Sequence, residues 1–330
     1  MARPKVLLTN PIDPIGMKIL EAAADVVTAP DAKPATLNKM VSETDLLMVR
    51  AFLPPDVFER PNRLRGVVRH GVGLDMIPME AANAKGIPVA NVPGSNAEAV
   101  AEHAVAGMLL VARSLHSMDR DLRAKDWAVS RKHSDASTEL FGRTLGVVGM
   151  GSVGTRIAEI CVTAFRMRVL GTPSRSKALP TFVEGAPVER IFRESDFIVL
   201  SCPLTDGTRH LVNAERLAMM KPGAALINVA RGPVVNESAL VEALAARRIR
   251  GAVLDVYEEQ PLRRDHRLLR LDNAILTPHA AGITEESMKR MSQGAAEEAV
   301  RLLRFERPVN LCNPEVWERH LKRFEAEVRA

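Results

Sequence analysis

The stretch Thr144-Leu145-Gly146-Val147-Val148-Gly149-Met150-Gly151-Ser152-Val153-Gly154 decides how the rest of the chain is read. An apolar run ends in glycines spaced G-x-G-x-x-G, and Thr155-Arg156-Ile157-Ala158-Glu159-Ile160 then takes up helical spacing. At such a strand-to-helix turn the first glycine permits the tight bend. The second lets a pyrophosphate approach the backbone, and the third lets the helix pack close to the sheet, its N-terminal N–H groups facing the negative charge. Alone, the spacing could mark a glycine-rich turn that serves packing only. Between a strand pattern and a helix pattern it reads as a dinucleotide cradle, with Gly149, Met150, Gly151, Ser152, Val153 and Gly154 as its cofactor-binding residues.

Working outward, the segment from Thr144 to about Ala281 alternates strand-like and helix-like pieces. Its strand candidates are Leu145–Val148, Arg168–Leu170, Phe197–Leu200, Ala225–Val229, Ala252–Val256 and Ile275–Thr277. Residues 1 to about 97 alternate in the same way, through Lys5–Thr9, Val26–Ala29, Leu46–Val49, Val67–Arg69 and Val89–Asn91. Such alternation predicts α/β architecture, parallel sheets covered by helices on both faces. Long helices are expected from about Ala97 and from Glu285 to about Arg304. Because the glycine motif opens the second block, the cofactor domain reads as an insertion. Residues 98–282 would form it, and residues 1–97 with 283–330 would form the other domain.

The totals exclude several classes. A chain of 330 residues suits two domains. Its net charge of +5 comes from scattered Lys and Arg among nearly as many acids, with only 4% aromatics, which argues against a nucleic-acid partner. Cys161, Cys202 and Cys312 lie far apart without metal-ligand spacing. No metal site is expected, and reduced thiols in a cytoplasmic protein are. The first residues, Met-Ala-Arg-Pro-Lys, do not read as a signal peptide, and the longest apolar run, Ala104 to Ala112, is too short to span a bilayer.

Several further stretches, taken together and in order, resemble the D-isomer-specific 2-hydroxyacid dehydrogenases, relatives of glyoxylate, hydroxypyruvate and phosphoglycerate enzymes. They are Arg69-His70-Gly71-Val72-Gly73-Leu74-Asp75, Asn96 through His103, Pro203-Leu204-Thr205, Met220-Lys221-Pro222-Gly223, Asn228-Val229-Ala230-Arg231-Gly232, Leu254-Asp255-Val256-Tyr257 and Leu276-Thr277-Pro278-His279. The resemblance implies a flavodoxin-like α/β substrate domain made from both chain ends, an inserted Rossmann cofactor domain with a doubly wound parallel sheet, and a homodimer. It also implies hydride transfer between NAD(P)H and a small 2-oxo acid, giving a D-2-hydroxy acid.

Reducing a 2-oxo acid requires a cation for the carboxylate and a proton donor for the carbonyl oxygen. Arg231 follows a strand candidate, so its planar fork should emerge at the carboxyl edge of the sheet, where open α/β sheets bind ligands. A lone arginine there is more often a surface group. His279 also follows a strand candidate, and its position matches the family's acid/base, whereas the other seven histidines lack such support. Gln260 departs from the pattern. The family places there, just before a proline, a glutamate whose charge keeps the imidazole protonated near neutrality. A glutamine can still accept from the ring N–H and fix the tautomer. In an extended segment Glu258 shares the face of Gln260 and Glu259 points away, so neither is an obvious replacement.

By resemblance the backbone N–H groups of Val72 and Gly73 bind the substrate carboxylate. His70 departs from the small residue usual in relatives; with Arg50, Phe52 and Leu53 after the third strand it is a candidate for shaping the substrate pocket, the alternative being that these residues simply cover the sheet edge. Cys202, Pro203, Thr208, Val229, Ala230, Asp255, His279 and Gly282 fall at the cofactor, with Asp255 receiving the nicotinamide carboxamide. The acid that an NAD site places about 20 residues beyond the glycines is missing. Counting from Gly154 reaches Ser174, inside Gly171-Thr172-Pro173-Ser174-Arg175-Ser176-Lys177. Ser174, Arg175 and Ser176 suit a 2′-phosphate, so NADP(H) is the expected preference and NAD(H) the alternative. The competing function is a nucleotide-sensing scaffold like the corepressor relatives, for which Gln260 is the one mark.

Overall fold

The computed structural model describes residues 3–60, 62–173 and 178–325. The chain divides into two compact units, Met1–Asn96 with Ile283–Ala330, and Ala97–Gly282.

The first unit holds strands β1 (Lys5–Leu8), β2 (Asp25–Thr28), β3 (Leu46–Val49), β4 (Gly66–Arg69) and β5 (Val89–Ala90). They pair in the order β2-β1-β3-β4-β5, all parallel, which is the flavodoxin-like order. Side chains alternate along each strand, so both faces are apolar. Leu7, Leu47, Val49, Val67 and Val89 meet Leu37 and Phe58 on one side. On the other side Val6, Leu8, Leu46, Met48 and Val68 meet Ala295, Ala296, Ala299 and Leu302. These last belong to helix Glu285–Leu303, whose small residues give it a close seat on the sheet. That apolar stripe returns the chain to the unit it began in. The helix starts at a capping box, Thr284 and Ser287 each satisfying the other's backbone N–H.

The second unit holds β6 (Thr144–Val148), β7 (Arg168–Gly171), β8 (Glu184–Gly185), β9 (Phe197–Leu200), β10 (Ala225–Asn228), β11 (Gly251–Leu254) and β12 (Ala274–Leu276). The parallel order is β12-β11-β10-β9-β6-β7-β8. Strand order therefore reverses at β6, the topological switch point of a doubly wound sheet, where ligands bind at the carboxyl ends. Helices Ala97–Ala112 and Ser152–Phe165 cover one face through Ala101, Ala104, Met108, Ile157 and Ala158. Phe192, Leu217, Leu240 and Leu244 cover the other. Among the described residues no helix is long and apolar enough to cross a membrane, and no group of three or more His, Cys, Asp or Glu could hold a metal ion.

Candidate active site

Register places the chemistry. Val148 of β6 pairs with Leu200 of β9, Leu200 with Asn228 of β10, Asn228 with Leu254 of β11, and Leu254 with Leu276 of β12. Five strands thus end level, and Gly149, Cys202, Val229 to Arg231, Asp255 to Gln260, and Thr277 to His279 all leave from one edge.

The glycine loop is built for a phosphate. Gly149 has φ +102, and a Cβ there would lie 2.5 Å from Cys202 N, so only glycine fits. Its N–H donates to Thr172 Oγ1 at 2.9 Å, and its carbonyl accepts from Ser201 Oγ at 2.7 Å. At Gly154 an added Cβ would run into Gly149 O, whereas at Gly151 it would meet nothing within 4 Å. Helix Ser152–Phe165 starts at Gly151 with no side-chain cap, so its first N–H groups suit an anion. Open space beside Gly151 and an uncapped helix start fit a dinucleotide pyrophosphate. Met150 packs beside Gly171 at the end of β7. Ser174, Arg175 and Ser176, which follow, lie outside the described residues.

The next loop is braced by Thr208, whose Oγ1 donates to Pro203 O at 2.7 Å and accepts from Thr205 N at 2.8 Å. Burial pushes the Cys202 thiol up to about 11, so it stays protonated and unreactive near neutrality. After β10, the buried Asn228 side chain accepts from Ala230 N at 3.0 Å and donates to Arg231 O at 3.1 Å. This brace turns the chain immediately before and after Val229. Arg231 Nη1 donates to Ala230 O at 2.7 Å. Gly232 then packs so tightly under Tyr257 O and Glu258 N that any Cβ would collide. The turn bearing Arg231 and the segment leading to Gln260 are therefore one packed piece.

His279 has φ 55, an uncommon backbone state outside glycine. Its N–H donates to Asp255 O at 2.8 Å. Its ring Nδ1 lies 2.8 Å from Gln260 Oε1, while Gln260 Nε2 donates to Tyr257 O at 3.3 Å. The amide oxygen therefore faces the ring, and Nδ1 carries the proton it receives. Glu258 is engaged elsewhere, with His210 Nε2 at 2.9 Å, and its own N–H donates to Glu237 Oε1 at 2.5 Å. Gln260 itself, and neither neighbouring glutamate, partners the histidine. Asp255 is buried, its carboxylate accepting from Ala280 N and Ala281 N at 2.8 and 2.9 Å, just before Gly282.

In the first unit the corresponding edge carries Arg50 and the 70–73 loop. Arg69 clamps that loop, donating from Nε to Gly73 O at 3.0 Å and from Nη1 to Val49 O and His70 O at 2.9 and 2.6 Å. Val72 O accepts from Asn91 Nδ2 at 2.7 Å. Arg50 donates to Pro11 O and contacts Met288 Sδ at 3.7 Å, and burial lowers its pKa. His70 is only 2% exposed, with Nε2 2.7 Å from Ser292 Oγ. Burial, then the Arg50 and Arg69 charges, depress it to about 3. This neutral ring braces the loop from inside. No local motif points to Ser292, which helix Glu285–Leu303 brings from 222 residues away.

Comparison with known proteins agrees with this architecture. The sequence profile described as D-isomer specific 2-hydroxyacid dehydrogenase, NAD binding domain, matches residues 105–281. A glyoxylate reductase of Pyrococcus horikoshii is 38% identical over 95% of this chain and 97% of its own. A D-3-phosphoglycerate dehydrogenase of Methanocaldococcus jannaschii is 38% identical over 94% of this chain, which spans only 59% of that protein. The crystal structure of an NADPH-dependent glyoxylate/hydroxypyruvate reductase from Sinorhizobium meliloti, in complex with NADP and malonate, superposes with a TM-score of 0.81 at 28% identity, over 94% of this chain and 97% of its own. With its fold, its matched segment and these relatives in agreement, the chain belongs to the D-isomer-specific 2-hydroxyacid dehydrogenase family.

Proposed function

We propose that the protein is an NADP(H)-preferring reductase of small 2-oxo acids of the glyoxylate or hydroxypyruvate kind, forming the D-2-hydroxy acid. The observation that carries this reading is the His279–Gln260 pair on the same sheet edge as Arg231 and the glycine loop. Bound nicotinamide would supply the hydride at the carbonyl carbon. Arg231 grips the substrate carboxylate with its planar fork. As the carbonyl π pair moves to oxygen, the protonated His279 ring delivers its proton there. In the oxidative direction the neutral ring takes the proton back. Gln260 fixes ring orientation and tautomer without adding charge, so the imidazolium is less favoured than beside a carboxylate. Asp255 receives the carboxamide.

The NADP(H) preference rests on the segment after β7, where Ser174-Arg175-Ser176-Lys177 offers hydroxyls and cations and no acid. A homodimer is supported by the exposed apolar residues Leu115, Leu122 and Trp127 on helices Leu115–Ala124 and Trp127–Lys132. The three free thiols suit the cytoplasm. The second reading, a nucleotide-sensing scaffold with little turnover, is favoured only by the missing charge at Gln260. NADPH consumption measured with a panel of 2-oxo acids separates the two. Turnover with at least one acid is expected, and tight NADPH binding with no turnover on any acid would favour the scaffold.

A further inference from the structure

Helix Ala97–Ala112 carries His103, which none of the roles above uses. His103 Nε2 lies 3.2 Å from Thr277 Oγ1, and Thr277 Oγ1 lies 2.6 Å from Asp255 Oδ1. The direction of these bonds follows from valence. A carboxylate only accepts, so the threonine commits its single proton to Asp255 and must receive one from the histidine. His103 therefore holds its proton on Nε2 and donates into the chain. Protonation of His103 leaves that donor in place.

The chain ends at the acid/base residue. Asp255 Oδ1 also accepts from Ala280 N–H, Oδ2 from Ala281 N–H, and the Asp255 carbonyl from the His279 N–H. These bonds flank His279 and hold its backbone in the left-handed region at φ 55. A carboxylate offers about four acceptor positions. Thr277, Ala280 and Ala281 use three, two of them on Oδ1, which leaves one on Oδ2 for the carboxamide N–H. The orientation of this one buried carboxylate thus sets both the histidine loop and the cofactor contact.

Resting on the proposed function, we infer that His103 is a positioning residue for the reaction. Through Thr277 it fixes the Asp255 carboxylate in the rotation that orients His279 and receives the nicotinamide carboxamide. The test compares His103→Leu, His103→Gln, Thr277→Val, Thr277→Ser and the His103→Leu/Thr277→Val pair in the full chain, reading kcat, KM for the best 2-oxo acid, and NADPH Kd by fluorescence titration. His103→Leu should lower kcat about tenfold, the scale of a small misplacement of a reacting group, with the 2-oxo acid KM within about twofold and NADPH Kd several-fold weaker. His103→Gln, whose amide can donate to the hydroxyl, and Thr277→Ser, which keeps the hydroxyl, should recover most of the loss. The double variant should lose no more than Thr277→Val alone, as members of one chain do.

Wild-type kcat and Kd in His103→Leu, equal losses in His103→Leu and His103→Gln, or additive losses in the pair would each overturn the inference. If wild-type protein turns over no 2-oxo acid, the proposed function fails separately. The NADPH Kd then decides alone: weakening in His103→Leu with recovery in His103→Gln upholds the fixed carboxylate, and unchanged affinity refutes it.

Discussion

The imidazole of His279 and the side-chain amide of Gln260 meet at 2.8 Å, Nδ1 to Oε1, with the amide nitrogen turned away to Tyr257 O. The pair has the geometry of a charge-assisted partner without the charge. Reduction needs the imidazolium, and a carboxylate in this place would raise the ring pKa. Gln260→Glu should therefore shift the basic limb of the reductive kcat/KM profile upward by about one pH unit or more. An unchanged profile would sink the assignment of Gln260 as the partner that sets the acid.

Arg231→Lys keeps a positive charge and gives up the planar fork. Loss of a charged hydrogen bond costs about 1.5–3 kcal/mol, which corresponds to roughly 10–100-fold. We expect that loss in kcat/KM for the 2-oxo acid, chiefly through KM, with NADPH Kd unchanged. Equal weakening of acid and cofactor would point to a general disturbance of the turn that Asn228 braces.

Cofactor choice should respond to the segment after β7. Wild-type kcat/KM is expected to favour NADPH over NADH by about tenfold or more, one charge-assisted contact's worth. Arg175→Ala should erase most of that difference. Ser174→Asp, which restores the missing acid, should reverse it. A clear NADH preference in the wild type would refute the assignment.

Acid stability has a defined sign at His320. The ring is fully buried among Trp317, Phe305 and Phe324, and neither nitrogen has a hydrogen-bond partner among the described residues. Burial, then Arg323 and Arg65, depress its pKa from 6.5 to about 4. The unfolded chain therefore binds the proton first as pH falls. Stability is complete above about pH 6.5 and is lost progressively from there towards pH 4, by about 3 kcal/mol. His320→Phe should flatten this part of a denaturation series measured between pH 7 and pH 4. A slope identical to wild type would show that other groups control acid lability.

Assembly should depend on the apolar strip on the 115–132 helices. Trp127 is 70% exposed, far more than an indole in a lone subunit needs. Trp127→Glu is expected to give monomers by sedimentation velocity where the wild type gives dimers. A wild-type monomer would remove this proposal.

What the sequence disclosed was periodic or local. Among the described residues, eleven of the twelve strands read as short apolar runs. The one that did not, Glu184–Gly185, has both residues exposed at the sheet edge and no apolar signal to read. Helices Leu115–Ala124 and Trp127–Lys132 are missing from the sequence reading, although Leu115, Met118 and Leu122 recur at helical spacing; what that spacing does not disclose is that Leu115, Leu122 and Trp127 stay exposed. Arg231, Gln260 and His279 stood out because each sits in a recognisable local motif. Their supports did not. Thr277 and His103 meet across 174 residues, and His70 and Ser292 across 222. Such bonds depend on the finished fold, and no spacing along the chain encodes them.

The level row of strand ends has a consequence for how this protein can change. The heights at which the segments bearing Gly149, Arg231, Asp255 and His279 leave the sheet are set by backbone ladders between β6, β9, β10, β11 and β12, while side chains such as Asn228 and Asp255 shape only the turns that follow. Loop residues can be exchanged, and with them the preferred acid, while the spacing of the reacting groups stays put. A slip of one residue between β11 and β12 would instead displace His279 by about 3.3 Å and turn β12 over. New substrates are therefore within reach of point mutation, whereas loss of the chemistry through the scaffold requires the sheet to be re-registered.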